Sequence, residues 1–299
     1  MDKIIECVPN FSEGRRPEVL EAIMNEIKAV EGVRLLDHTH DFDHNRAVFT
    51  LVGAPEPMKK AVFSAVAKAA ELIDMEKHSG EHPRIGATDV VPFIPIKNTS
   101  IDECITLARE VGKEIGDKLG IPVYLYEYAA TREDRRNLAK VRNGQYEGLK
   151  VAIQTDPNRK PDFGPEKLHP SAGATVVGAR MPLIAYNVNL DTDDIELAKY
   201  IAKTIREKDG GFKNVKALGL EIKERGIVQV SMNLTNYQVT PIYKVYDRIS
   251  EMAKAANVKV LESEVIGLLP LSSMVECAKY YLKAVDFKDE QLLEPRIWE

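Results

Sequence analysis

Five of the six histidines in this chain of 299 residues fall in two short stretches. The first, HTHDFDHN, places His38, His40 and His44 among Asp37, Asp41 and Asp43. The second, HSGEHPRIGATDVVPFIP, sets His78 and His82 four residues apart, with Glu81 beside the second. Imidazoles near carboxylates suit two kinds of chemistry. They can ligate a metal, or they can take and return a proton near neutral pH. A plain polar loop is the third reading. For metal, the i, i+4 spacing of His78 and His82 needs a helix, and Gly80 and Pro83 argue against one. In an extended HTHDFDHN, Asp37, Thr39 and Asp41 face away from His38 and His40. The chain has no CxxC and no HExxH order. The expectation is therefore acid–base chemistry without metal. Glu81 or Asp89 would orient the imidazole of His82. Spacing alone does not choose between His78 and His82.

Two further stretches suit binding. PDFGPEKLHPSAGA interleaves Pro, Gly and small residues with single apolar ones, so its backbone can approach a flat ligand closely; its composition equally fits a linker. TREDRRNLAKVR holds five basic residues against two acids. It reads as a solvated helix face, or as a positive field for an acidic substrate, as do Arg15 and Arg16.

These stretches must be positioned by a framework, and the chain writes that framework twice. KIIECVP reads as a strand. Pro17 then suits a first helical turn, with Val19, Leu20, Ile23, Ile27 and Val30 on one face. VRLLDHT and RAVFTLVG follow as strands, then a helix from Pro55 to about Asp74, the strand DVVPFIPI, a helix from Ser100 and the strand IPVYLYEY. The second half repeats the order: MPLIAYNVNL, a helix that Asp191 can cap, VKALGLEI, IVQVSMNL, a helix opened by Thr240 and Pro241, VKVLESEVIGLLPL and a last helix. PFIPIKNTSIDEC parallels GLLPLSSMVEC, and each predicts a capping box, Ser100 with Glu103 and Ser273 with Glu276. The predicted fold class is α+β. It has two similar ferredoxin-like subdomains of order β-α-β-β-α-β, with antiparallel sheets and helices packed on one face. The boundary falls near residue 180, giving subdomains 1–180 and 181–299. The histidine stretches, and about fifty residues after IPVYLYEY, are additions that only the first copy carries.

Composition narrows the partners. A hydrophobic content of 44% with 29% charged residues describes a soluble globular protein. No segment approaches the roughly 20 apolar residues of a membrane helix, so no membrane partner is expected. The N-terminal residues are not expected to act as a signal peptide. A net charge of −5 argues against nucleic acid as a partner. Three widely spaced cysteines fit a reducing cytoplasm.

Taken together, ECVPNFSEG, HSGEHPRIGATDVVPFIP, VYLYEYAA, RNGQYEGL and PDFGP with HPSAGATVVGAR resemble the glutamate formiminotransferase family across essentially the whole chain. The resemblance is to the stand-alone transferase, without a cyclodeaminase domain. It implies transfer of a formimino group from N-formimino-L-glutamate to tetrahydrofolate, a step of histidine degradation, with no metal. It also implies a homodimer and a catalytic role for His82. The implied folate-binding segment is Phe163, Gly164, Pro165, Glu166, Lys167, Leu168, His169, Pro170, Ser171 and Ala172. Supporting positions are Asn10, Thr39, Arg46, Glu81 and Arg84. The resemblance also implies an acid at the position of Thr39, as in the family's best-studied members. That departure leaves a formyl donor, or a non-catalytic folate- or amino-acid-binding module, as alternatives.

Overall fold

The structure is a computed structural model that describes residues 3–297. It divides into two compact units, the first ending at Met181 and the second starting at Pro182.

Unit 1 begins with β1 (Ile4–Cys7) and β2 (Asn10–Phe11), followed by α1 (Pro17–Lys28), β3 (Val33–Asp41) and β4 (Arg46–Gly53). Next come α2 (Pro55–Leu72), β5 (Thr88–Lys97), α3 (Ile101–Leu119) and β6 (Val123–Glu127). Two short helices, α4 (Leu138–Val141) and α5 (Gln145–Thr155), precede β7 (Thr175–Ala179). The sheet order is β3–β4–β1/β2–β5–β7–β6. β1 and β2 are one strand interrupted at Val8 and Pro9, because both pieces pair with β4 on one side and β5 on the other.

Local chemistry explains most element ends. α1 and α2 each carry Pro in the first turn, where its missing N–H costs nothing. Ser100 and Glu103 form the expected capping box, and Gly120 closes α3 at φ +65°.

Unit 2 repeats the core: β8 (Ile184–Leu190), α6 (Ile195–Ile205), β9 (Val215–Ile222), β10 (Ile227–Leu234), α7 (Ile242–Ala255) and β11 (Val260–Ile266). Helices α8 (Leu271–Leu282) and α9 (Leu293–Ile297) follow. Its sheet is antiparallel throughout, in the order β11–β8–β10–β9. Unit 1 has the same relative order in its first four strand positions, so the two are similar α+β subdomains. Two details differ from expectation. Asp194, not Asp191, caps α6, because only Asp194 reaches the Glu196 and Leu197 amides. Ser273 caps nothing; α8 already starts at Leu271 behind Pro270, and the Ser273 hydroxyl donates to the Pro270 carbonyl instead.

Unit 1 also extends the shared core. β7 lies between β5 and β6 and runs parallel to both. It directly follows PDFGPEKLHPSAGA, the stretch whose composition reads as a ligand loop or a linker. Helices α1, α2 and α3 pack on one face of the sheet through Ile23, Val62 and Val111. On the other face, Val141 of α4 with Leu149 and Ile153 of α5 cover Val90, Tyr124, Tyr126 and Val176. The β2–β4–β3 part of that face carries Asn10, Val48 and Thr39 in register, with Arg46 two residues from Val48. There the side chains stay partly or fully exposed.

Candidate active site

Four segments distant in sequence meet at this open part of the sheet: NFSEG, DHNR, HSGEHPRIGATD and RNGQYEG. Asn45 ties the first three. It is buried, adopts a left-handed φ of +48°, and accepts from the Gly14 amide at 2.9 Å through its side-chain oxygen. Its amide nitrogen donates to the Ser79 carbonyl at 2.9 Å. Asparagine tolerates left-handed backbone better than most residues. Gly14 has no alternative, since a Cβ there would lie 2.1 Å from the Asp41 carbonyl oxygen. Ser12 holds the far end of the histidine loop, with its hydroxyl donating to the Gly86 carbonyl at 2.7 Å.

The RNGQYEG segment is held by two ion pairs. Arg84, 5% exposed, forks onto both oxygens of Glu147 at 2.9 and 2.7 Å and also donates to Gln145. Arg142 pairs with Asp89, which is 1% exposed and also accepts from the Ile85 amide. Gly144 and Gln145 both take positive φ, +84° and +55°, which turns the chain sharply into α5.

The hydrogen bonds fix different tautomers for the two loop histidines. The Nε2 of His78 lies 3.0 Å from the Asn45 carbonyl, which can only accept, so His78 carries its proton on Nε2. Its Nδ1 accepts from Arg84 Nε at 3.2 Å. Both nitrogens of His78 are therefore spent on structure. His82 Nε2 lies 3.0 Å from Arg46 Nη1, and a guanidinium can only donate. His82 thus carries its proton on Nδ1. Neither Glu81 nor Asp89 orients it, contrary to the sequence expectation. Glu81 is exposed and contributes its backbone amide to the Asp43 carbonyl, while Asp89 is taken by Arg142. Burial, then the charges of Arg46 and Arg142, push the His82 imidazole down to about 3. Burial likewise lowers His78, and the Arg84 charge adds to it. The loop is not helical between His78 and His82.

The remaining sequence candidates are spread more widely. Thr39 is exposed on β3, opposite Val48. His38 lies opposite Phe49 and packs edge-on to that ring, on the other side of the strand. His44 bonds Asp41 at 2.9 Å. Asn10 donates to the Val8 carbonyl. Among the described residues, no group of three His, Cys, Asp or Glu side chains could hold a metal ion.

The segment from Phe163 to Ala172 is only partly near the histidine loop. Its end is close: Ala87 donates to the Ala172 carbonyl at 2.8 Å, and His169 Nδ1 accepts from the Ala172 amide. Its start lies against α3, where Phe163 approaches Gly112 and Gly164 approaches Gly116. The basic run before it is not one solvated helix. Arg135 is buried, pairs with Asp162 and donates to two loop carbonyls. With Arg159 and Tyr124 it edges a cavity of about 500 Å³.

Sequence reasoning passed over Asn45 and Glu147, and read Arg142 only as one charge of a basic run. The first carried a usable signal, an Asn closing a polar turn before a strand. The two charges pair across 53 and 63 residues, which no local pattern reveals.

The protein is an enzyme of the one-carbon transferase class. It belongs to the formiminotransferase family, whose N-terminal subdomain matches residues 4–180 and whose second part matches residues 185–294. It is 49% identical to the glutamate formimidoyltransferase of Streptococcus pyogenes serotype M1, over 98% of each chain. It is 48% identical to that of Thermoplasma acidophilum, over 98% of this chain and 97% of the relative. A formimidoyltransferase-cyclodeaminase from Gallus gallus is 44% identical over 95% of this chain, which spans 53% of that longer relative. No helix among the described residues is long and apolar enough to cross a membrane.

Proposed function

We propose that this enzyme transfers the formimino group of N-formimino-L-glutamate to tetrahydrofolate, releasing L-glutamate, as a step of histidine degradation, with His82 moving the proton. The observation that carries the assignment of His82 is the contrast between the two loop imidazoles. Both nitrogens of His78 have protein partners, whereas His82 is held by Arg46 alone. The near-half identity to two glutamate formimidoyltransferases supports the donor.

In this reading the secondary amine of tetrahydrofolate attacks the formimino carbon, and a new C–N bond forms as the C=N bond opens. His82 accepts the proton from the attacking nitrogen. It then delivers that proton to the glutamate nitrogen as the C=N bond re-forms and the old C–N bond breaks, so one imidazole serves as base and acid. Holding both substrates side by side supplies proximity. No step needs a metal or a covalent enzyme intermediate. Ser171 and Ala172 are the part of the implied folate segment that abuts the histidine loop. Phe163 and Gly164 pack on α3, and their part in binding is through the shape of the loop. A homodimer is the assembly that fits the family resemblance.

The test is turnover by His82→Ala, followed as absorbance of the folate product, with formiminoglutamate and formylglutamate compared as donors. The expected result is a loss of 100-fold or more, on the order of a general acid–base contribution, with folate binding retained. Undiminished turnover would remove His82 from the mechanism. Preference for formylglutamate would move the donor assignment.

A further inference from the structure

We propose that Arg46 is a latch on His82 that a substrate carboxylate opens: in the ligand-free protein its guanidinium holds the Nε2 lone pair, and a carboxylate of the glutamate substrate draws it away. The inference rests on the proton-transfer role given to His82 above.

The geometry sets a problem for that role. The lone pair that must accept a proton already accepts from Arg46, at 3.0 Å. Burial makes matters worse, and so do neighbouring groups. Arg46 from β4, Arg142 from the end of α4, His44 from the β3–β4 turn and His78 from the same loop all disfavour a charged imidazole at position 82. An imidazole lowered to about 3 is a poor proton acceptor at neutral pH, because a catalytic base works best with a pKa near the operating pH. The resting arrangement is therefore an off state.

Arg46 differs from four other arginines of unit 1 in one respect, which it shares with Arg15, whose guanidinium donates to the Phe42 carbonyl. Arg16 has Glu13, Arg84 has Glu147, Arg135 has Asp162 and Arg142 has Asp89. Among the described residues, no carboxylate lies within ion-pair distance of Arg46. Asp89 and Asp41 act on it only at longer range, and burial and Arg142 together disfavour its charge. A half-buried guanidinium without a counter-ion, on a sheet face where side chains stay exposed, has donors to offer an incoming anion. The planar fork selects a carboxylate, which it grips with two parallel hydrogen bonds. Such a pair replaces donation to a neutral imidazole with two hydrogen bonds between opposite charges. One event then frees Nε2 and cancels the nearest positive charge, so binding of the correct donor switches the base on.

The experiment titrates His82 by NMR in protein labelled with nitrogen-15 at histidine, without and with saturating L-glutamate. No reaction occurs in either sample. The expected result is a midpoint near 3 without glutamate and an upward shift of at least one unit with it. Arg46→Gln should begin with the midpoint raised and lose the response to glutamate. In kinetics, the acid limb of kcat, which reports the complex, should lie at higher pH than that of kcat/KM, which reports the free enzyme. A His82 midpoint that glutamate leaves unmoved in the wild-type protein overturns the latch, whether glutamate binds elsewhere or does not bind. That measurement needs no variant, so misfolding of Arg46→Gln cannot protect the idea. The two proposals fail separately. Normal formimino transfer with an unmoved midpoint removes the latch alone, and a shifted midpoint without transfer removes the proposed reaction alone.

Discussion

Replacing Asn45 should expose how the site is assembled, because three separate duties fall on one residue. Its side-chain oxygen satisfies the Gly14 amide, its side-chain nitrogen satisfies the Ser79 carbonyl, and its backbone sits at φ +48°. Asn45→Gly removes both side-chain bonds but suits the backbone. The Gly14 amide is buried, and an orphaned buried donor costs about 1–3 kcal/mol. Ser79 is exposed, so water can replace its lost donor at little cost. Asn45→Ala loses the same bonds and adds left-handed strain of about 1 kcal/mol. The expected losses of unfolding free energy are therefore about 1–3 kcal/mol for Asn45→Gly and about 2–4 kcal/mol for Asn45→Ala. Urea denaturation read by circular dichroism measures both. Turnover should fall in both variants, since the lost side-chain bond to Ser79 anchors the loop that carries His82. If Asn45→Ala is as stable as wild type, or more stable than Asn45→Gly, the accounting of this junction is wrong.

Two other outcomes follow from charges. His82 is lowered to about 3 by burial and neighbouring arginines, whereas in the unfolded chain it titrates near 6.5. Between those values the unfolded state binds more protons, so the His82 contribution to stability is fully present above about 6.5 and is lost as pH falls toward 3. His82→Gln should flatten that part of the acid-unfolding profile; superimposable profiles would contradict the titration. Arg135 and Asp162 form a buried ion pair, so Arg135→Met should cost about 3–5 kcal/mol by thermal or urea melts. Adding Asp162→Asn should recover part of the loss, and a double variant no better than the single one would show that the pair does not act as a unit.

What was legible in the sequence was whatever local pattern encodes. Pro17, the Ser100 capping box and the alternating strands each act within a few residues, so the duplicated α+β core could be read directly. β7 could not. A strand buried on both faces has no polar alternation, and Thr175–Ala179 is buried at every position and contains Gly178. The failed cap at Ser273 makes the same point. The SxxE pattern is present in both halves, but Pro270 takes the cap position of α8 three residues earlier and leaves Ser273 inside the helix. At the site, the sequence singled out the loop and its two imidazoles. It offered Glu81 and Asp89 as partners for His82 because carboxylates were nearest in the chain. The actual partner, Arg46, is 36 residues away, and burial decides that contact.

The position of β7 also constrains how unit 1 is made. β5 and β6 are joined through α3 yet never pair with each other; each waits for a strand that emerges some fifty residues after β6. A nascent chain that has not yet released Ala179 therefore carries two open sheet edges flanking a vacant slot. Such edges are where foreign strands add. For this fold, the interval between synthesis of Glu127 and Ala179 is the period in which a holding chaperone would matter most, and slowing translation there should raise aggregation more than slowing it anywhere in unit 2.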